Sequence, residues 1–200
     1  MASQAASSAL TGLDVIYMRR SIRRYTADYL DDSTLETLVE AAVQAPTAVR
    51  EEPWAFVIVR DRATLVRYSD RAKQHILEQL AGAPEPTDEA RHQFLDQMRD
   101  PEFCIFYNAP ALVVICTKPV GPFAEADCWL AAGTFMLAAT ALGLGTCCIG
   151  SAVPILNAPD VKAELAIAPD MTAVAPIIVG VPAGAVAPVS RKPPEILSWR

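Results

Sequence analysis

The hydrophobic pattern changes along the chain between helical spacing and short continuous apolar runs, which predicts helices interleaved with buried strands. Continuous runs predict strands at residues 54–60, 111–117 and 173–181. Helical spacing predicts helices from Leu35 to the stop at Pro46, at residues 62–80 and at residues 123–142, with shorter helices before Arg20 and at residues 157–167. This order of elements predicts one α+β domain, in which helices flank a mixed central sheet.

Two helix starts carry capping signals. Thr11 and Asp14 predict a capping box for the first helix, and Ser33 with Glu36 predicts a better one for the second. Elsewhere, residues 82–103 combine prolines with a charged helical stretch and are a candidate cap over a site. Residues 182–200 carry four prolines and predict an extended C-terminal arm. We expect residues 1–10 to be flexible and the whole chain, residues 1–200, to form a single domain.

Composition supports a globular fold, because 52% of the 200 residues are hydrophobic and 20% are charged. Residues 128–159 carry no charge, which raises the question of a membrane span. Gly133, Gly143 and Gly145 interrupt this stretch, and Asp127 and Asp160 bound it where Lys or Arg anchors are expected. We therefore interpret it as a central core or subunit-interface segment and expect no membrane association.

The chain has five cysteines and no C-x-x-C spacing, which favours reduced thiols in a cytoplasmic protein. The adjacent pair Cys147 and Cys148 is interpreted as two buried thiols rather than a redox dithiol, because neighbouring cysteines bridge only with strain. His75 and His92 have no carboxylate or cysteine at ligand spacing, so the sequence offers little support for a metal site.

Four arginines surround Ser21, at Arg19, Arg20, Arg23 and Arg24, in a chain whose formal net charge is -6. A local cation cluster that the global charge does not explain suggests a bound anion, and the guanidinium fork suits a phosphate. Three other interpretations compete: a solvated turn, the basic part of a targeting peptide, and a nucleic-acid patch. The last is weakest, because a chain of pI ≈ 4.9 would repel nucleic acid.

Five motifs follow in order along the chain: R-R-S-x-R, A-P-T-x-x-x-x-x-P-W-x-F, F-Y-N-A-P, A-L-G-L-G-T-x-x-I-G and R-K-P. The series resembles the FMN-dependent nitroreductase family over about Leu13 to Trp199. The resemblance implies a nitroreductase-like α/β sandwich that is a homodimer with FMN sites at the subunit interface. It also implies hydride transfer from NADH or NADPH to FMN N5 and then electron transfer to a small acceptor such as a nitroaromatic or a quinone, with no catalytic side chain.

The resemblance also implies which residues bind the cofactor. The phosphate-binding set comprises Arg19, Arg20, Ser21 and Arg23, joined by Arg191 and Lys192 from the C-terminal arm. Pro46 and Thr47 match the loop under the flavin, in which Arg50 stands where the family has a neutral amide. Ile149, Gly150 and Ser151 match the turn whose backbone N–H approaches the reactive edge of the flavin, where glycine permits close contact.

Two other functions stay open at this point. One is a different flavin enzyme on the same scaffold, such as a reductive dehalogenase, an ene-reductase or a metabolite dehydrogenase, with residues 82–103 deciding its substrate. The other is a flavin-binding protein without turnover, which the unusual sequence Arg50-Glu51-Glu52 suggests.

Overall fold

The computed structural model describes residues 11–81 and 88–200. Its helices are α1 (Gly12–Met18), α2 (Asp32–Ala42), α3 (Arg62–Gln79), α4 (Glu89–Arg99), α5 (Ala124–Ala141), α6 (Val153–Leu156) and α7 (Pro159–Glu164). Its strands are β1 (Trp54–Val59), β2 (Ala111–Thr117), β3 (Gly145–Cys148) and β4 (Thr172–Gly180). Two short 3-10 turns lie at Ala48–Arg50 and Gly150–Ala152.

The four strands form one sheet in the order β1-β2-β4-β3. Every pair of neighbouring strands is antiparallel. Among the described residues, the parallel pairing that a mixed sheet requires is confined to an isolated bridge between Ser21 and Thr146. The segment after α1 therefore runs beside β3 as a short extension of the sheet.

Hydrophobic clusters cover both faces of the sheet. On one face, Ala111, Val113 and Ile115 of β2 pack with residues of α2 and α5, including Phe135. On the other face, alternate residues of β2 pack with side chains from α3, α6 and α7. Burial on both faces explains why β2 and β4 are continuously apolar. The predicted α+β sandwich in a single domain is confirmed.

The structure corrects some local predictions. The capping box at Thr11 and Asp14 is present, but α2 begins at Asp32 and its cap is Asp31, which accepts a 2.7 Å bond from the Thr34 N–H. The predicted cap at Ser33 is therefore wrong. Residues 157–167 hold only α7, with α6 just before it, and β3 was missed from the sequence.

The remaining predicted segments differ in how much of each the structure describes. Residues 1–10 and 82–87 lie outside the described part. The rest of the candidate cap includes α4, which packs on α3 with Leu95 and Met98 buried. Of the predicted C-terminal arm, residues 182–200, the structure shows residues 184–200 exposed and without regular structure. No helix within residues 11–81 and 88–200 is long and apolar enough to cross a membrane.

Candidate active site

The segment with the four arginines, residues 19–24 and here called the arginine turn, lies against β3. After α1 ends at Met18, the chain extends along this strand, and the Ile22 N–H donates a 2.9 Å bond to the Thr146 carbonyl. Contact is close at Gly145, where a Cβ would lie 2.6 Å from Cγ1 of Ile22. A larger residue at position 145 would push the segment away, so this glycine allows the turn to dock on the sheet.

Arg20 is directed back to α1. Its Nη1 donates to the Tyr17 carbonyl at 2.6 Å and to the Arg19 carbonyl at 2.8 Å. These two bonds satisfy carbonyls at the C-terminal end of the helix, where a cation is also favoured by the helix dipole. The structure thus separates Arg20 from the rest of the predicted phosphate-binding set.

Arg19, Ser21 and Arg23 all interact with the thiol of Cys147. Burial raises the pKa of that thiol, and the Arg23 charge, a hydrogen bond with Ser21 and the Arg19 charge each act to lower it. Neither arginine forms an ion pair with any Asp or Glu of the described residues, although other arginines of the chain do. Two unpaired guanidinium groups and a hydroxyl therefore lie in one place.

A cavity of ≈ 280 Å³ connects Arg23 with residues 147–151, which follow in sequence along the end of β3. The opposite wall consists of α4 and the segment after it, contributing Phe94, Gln97, Met98, Phe103, Ile105 and Tyr107. The predicted turn Ile149, Gly150 and Ser151 thus lines the same cavity as Arg23. Gly150 is exposed, and a Cβ there would meet nothing within 4 Å, so its backbone is open to a ligand.

Tyr107 and Cys147 also line this cavity, and neither was predicted as a site residue. The F-Y-N-A-P motif marks the stretch that contains Tyr107 but says nothing about where its ring lies. Arg23 Cζ lies 5.8 Å from the centroid of that ring. The contact joins residues that are far apart in the sequence, so only the tertiary structure could reveal it.

The loop with Pro46, Thr47 and Arg50 is locally strained. Val49 and Arg50 have left-handed backbones with φ of 47° and 60°, which are unusual for residues other than glycine. The Ala48 N–H donates a 3.1 Å bond to the buried Oδ2 of Asp127 in α5, which fastens the loop to the long helix. This bond holds the chain at the beginning of the strained segment.

Arg50 has no ion pair with Glu51 or Glu52 within the described residues, and its side chain is exposed. Glu51 turns toward Gly121 instead, where a Cβ would lie 2.7 Å from its Oε2. Within one chain, no hydrogen bond or ion pair of the described residues joins this loop, or Arg191 and Lys192 of the arm, to the arginine turn. The predicted site residues therefore fall into three groups, of which the arginine turn and the turn at Gly150 share a cavity.

Comparisons with known proteins identify the family of the chain. The sequence profile of the Nitroreductase family matches residues 16–181. Over 143 residues the chain is 31% identical to an Archaeoglobus fulgidus protein provisionally named NADH dehydrogenase/NAD(P)H nitroreductase, covering 69% of this chain and 66% of that protein. It is 27% identical to an iodotyrosine deiodinase of Thermotoga neapolitana over 137 residues, covering 66% of this chain and 70% of that protein.

The structural comparison covers more of the chain. A nitroreductase with bound FMN from Bacteroides fragilis superposes with a TM-score of 0.75 at 25% identity, covering 96% of this chain and 98% of that one. The chain spans just under two thirds of the length of the archaeal relative. Because the family profile matches most of the chain and the fold agrees almost end to end, this protein belongs to the nitroreductase family.

Proposed function

We propose that the protein is an FMN-dependent oxidoreductase that takes reducing equivalents from NADH or NADPH and passes them to a small acceptor such as a nitroaromatic or a quinone. The observation that carries this proposal is the cavity that joins Arg23 to the turn at Gly150. Bound FMN would supply the hydride and electron chemistry, so the chain has only to bind, orient and tune it.

The arginine turn fits the phosphate of FMN. Arg19 and Arg23 have no carboxylate to neutralise them among the described residues, and Ser21 adds a hydroxyl beside them. Guanidinium groups form short charge-assisted bonds with phosphate oxygens, which makes this set suited to a terminal phosphate. Arg20 stands apart from these three residues in this proposal, because its Nη1 donates to the carbonyls of Tyr17 and Arg19.

The turn at Ile149, Gly150 and Ser151 fits the other end of the cofactor. Its backbone is held to the sheet by a 2.8 Å bond from the Ile149 N–H to the Pro176 carbonyl. The exposed Gly150 leaves room for a planar ring to approach the main chain. Rigid support on one side and open space on the other allow this turn to orient a ring without a catalytic side chain.

A homodimer with sites at the subunit interface is part of this proposal. Large apolar side chains are exposed on three elements: Leu13 and Tyr17 of α1, Trp129 of α5, and Leu197 and Trp199 of the arm, which are 89% and 87% exposed. So many exposed apolar groups favour burial against a second subunit. A partner would also bring Pro46, Thr47 and Arg50, and the basic pair of the arm, to the arginine turn of the other chain.

The proposal is tested on the purified protein by absorption spectroscopy, by identifying the flavin that heat releases, and by sedimentation. We expect a yellow dimer that releases FMN rather than FAD. Anaerobic mixing with NADH or NADPH should reduce the flavin, which is observed as loss of its visible absorption band. A colourless protein that FMN cannot reconstitute would contradict the proposal. A yellow protein that neither nucleotide reduces would instead be a flavin-binding protein without turnover.

A second candidate is a reductive dehalogenase, which the match to the iodotyrosine deiodinase favours. The two functions differ in their products. Iodide release from an iodinated phenol by the reduced protein would support dehalogenation, whereas faster reoxidation by nitroaromatics or quinones would support the first proposal. We place either activity in the cytoplasm, in keeping with the interpretation of the cysteines as reduced thiols.

A further inference from the structure

We propose that Tyr107 is a positioning residue that holds the Arg23 guanidinium ready for the FMN phosphate. This inference rests on the proposed function, since it specifies how that phosphate is held. Tyr107 acts through Arg23 and need not touch the cofactor itself.

The ring of Tyr107 lies against the guanidinium. Arg23 Cζ is 5.8 Å from the ring centroid, within the range of a cation–π contact. Burial raises the pKa of the Tyr107 phenol, while the Arg23 charge and a hydrogen bond with Arg23 act in the opposite direction, so a neutral Tyr107 faces the cation at neutral pH. No carboxylate within residues 11–81 and 88–200 pairs with Arg23, which leaves this ring as its structural support.

The Tyr107 ring also packs against a second aromatic ring. Phe103 packs on Tyr107 edge to face, with ring centroids 5.4 Å apart and an interplanar angle of 84°. The buried Lys73 of α3 then donates a 2.8 Å bond to the Phe103 carbonyl. A continuous series of contacts therefore runs from the core helix α3 through two aromatic rings to the guanidinium at the cavity.

The backbone at Tyr107 is unusual in a way that supports a specific role. Tyr107 and Asn108 are both left-handed, with φ of 52° and 53°, and a 2.8 Å bond from the Tyr107 N–H to the Cys104 carbonyl closes the turn. Consecutive left-handed residues other than glycine persist only where the surroundings impose them, and they cluster at functional sites. Here the conformation directs a large ring into the cavity beside Arg23.

An unsupported arginine on an exposed turn samples many rotamers, and binding an anion must then restrict them. Arg23 is exposed, so without the ring this restriction would weaken phosphate binding. A cation–π contact at an exposed site corresponds to roughly two- to fivefold in affinity. The ring should therefore contribute to FMN binding but not to binding of riboflavin, which has the same ring system and no phosphate.

The test compares FMN and riboflavin affinity of the full chain, stripped of flavin, by fluorescence quenching. Tyr107→Asn removes the ring and suits the left-handed backbone, so it should fold, while Tyr107→Phe keeps the aromatic face. We expect Tyr107→Asn to weaken FMN binding roughly two- to fivefold and leave riboflavin binding unchanged, with a smaller loss in Tyr107→Phe, which keeps the aromatic face. In an Arg23→Ala background the same substitution should have no further effect on FMN.

Equal losses of FMN and riboflavin affinity in Tyr107→Asn, or a full effect that persists without Arg23, would overturn the inference. So would FMN affinity that is unchanged in Tyr107→Asn. A parent protein that binds riboflavin as tightly as FMN would instead refute the phosphate site of the proposed function. Circular dichroism of each variant verifies folding. If the Tyr107→Asn variant does not fold, the Tyr107→Leu variant provides the same comparison.

Discussion

Replacing Lys73 with methionine should destabilise the protein more than removal of any exposed cation. The Lys73 ammonium group is buried, with the residue only 5% exposed. Its Nζ donates to the carbonyls of Asp100 at 3.0 Å and Phe103 at 2.8 Å, and lies 3.1 Å from Oδ1 of Asp70. These bonds attach α3 to the segment that follows α4, which forms one wall of the cavity.

The magnitude follows from the two short carbonyl bonds. A hydrogen bond to a charged group contributes about 1.5 to 3 kcal/mol, and methionine keeps the apolar stem while leaving the carbonyl acceptors buried. We therefore expect Lys73→Met to lower the free energy of unfolding by about 3 to 6 kcal/mol, the combined contribution of two such bonds. Asp70→Asn should cost less than about 1 kcal/mol, because the side chain of Asp70 is 59% exposed.

The assay is urea unfolding monitored by circular dichroism at neutral pH, with equal protein and FMN concentrations, because ligand and subunit association shift apparent stability. Arg91→Met is the matched control, since the Arg91 side chain is 80% exposed in its 3.3 Å ion pair with Asp88. A free energy of unfolding of Lys73→Met within about 1 kcal/mol of the parent's would refute the reasoning, because loss of an exposed ion pair alone would explain so small a change.

Four further predictions follow from the site and the surface. Arg19→Ala should weaken FMN binding by about 1.5 to 3 kcal/mol, or roughly ten- to a hundredfold, in a titration where Arg20→Ala stays close to the parent; equal, parent-like affinities would indicate a solvated turn. Arg50→Asn should lower the midpoint potential of bound flavin by tens of millivolts if the unpaired guanidinium faces the ring, and a change within about 10 mV would reject that role. Deleting residues from Pro188 onward should reduce dimer content in sedimentation and flavin content in absorption together, and a fully loaded monomer would contradict both. The hydrogen bond from Arg67 lowers the pKa of Glu164 below its usual value of 4.5, so the stabilisation is present above pH 4.5 and is lost as the pH falls through the lowered pKa; the difference in melting temperature between Glu164→Gln and the parent should therefore shrink on acidification below pH 4.5.

The main strands could be predicted from the sequence because both faces of the sheet are covered. Ala111, Val113 and Ile115 face α5 while the alternate residues of β2 face α3, so a continuous apolar run was the correct signal. The strand β3 had no such signal. Its four residues, GTCC, adopt strand geometry because Cys147 pairs with Ile178 of β4, a contact that local sequence does not encode.

The start of α2 shows a second kind of limit. Asp31 and Ser33 are both good capping residues, and the structure uses Asp31, while the Ser33 hydroxyl donates a 3.0 Å bond to the Asp31 carboxylate. A carboxylate at this position also interacts favourably with the positive end of the helix dipole. Small energetic differences decide which of two nearby residues caps the helix, and rules based on sequence spacing do not resolve them.

The arginine turn shows what the sequence could and could not separate. Its four guanidinium groups look equivalent in sequence, yet in an extended segment every second side chain points the same way, so Arg19, Ser21 and Arg23 converge while Arg20 folds back on α1. The wall opposite them could not be predicted, because it depends on Tyr107 adopting a left-handed backbone and on Lys73 reaching across from α3. The residues proposed to bind the anion can therefore be predicted from the motif, whereas the residues proposed to hold them in place come from distant parts of the chain.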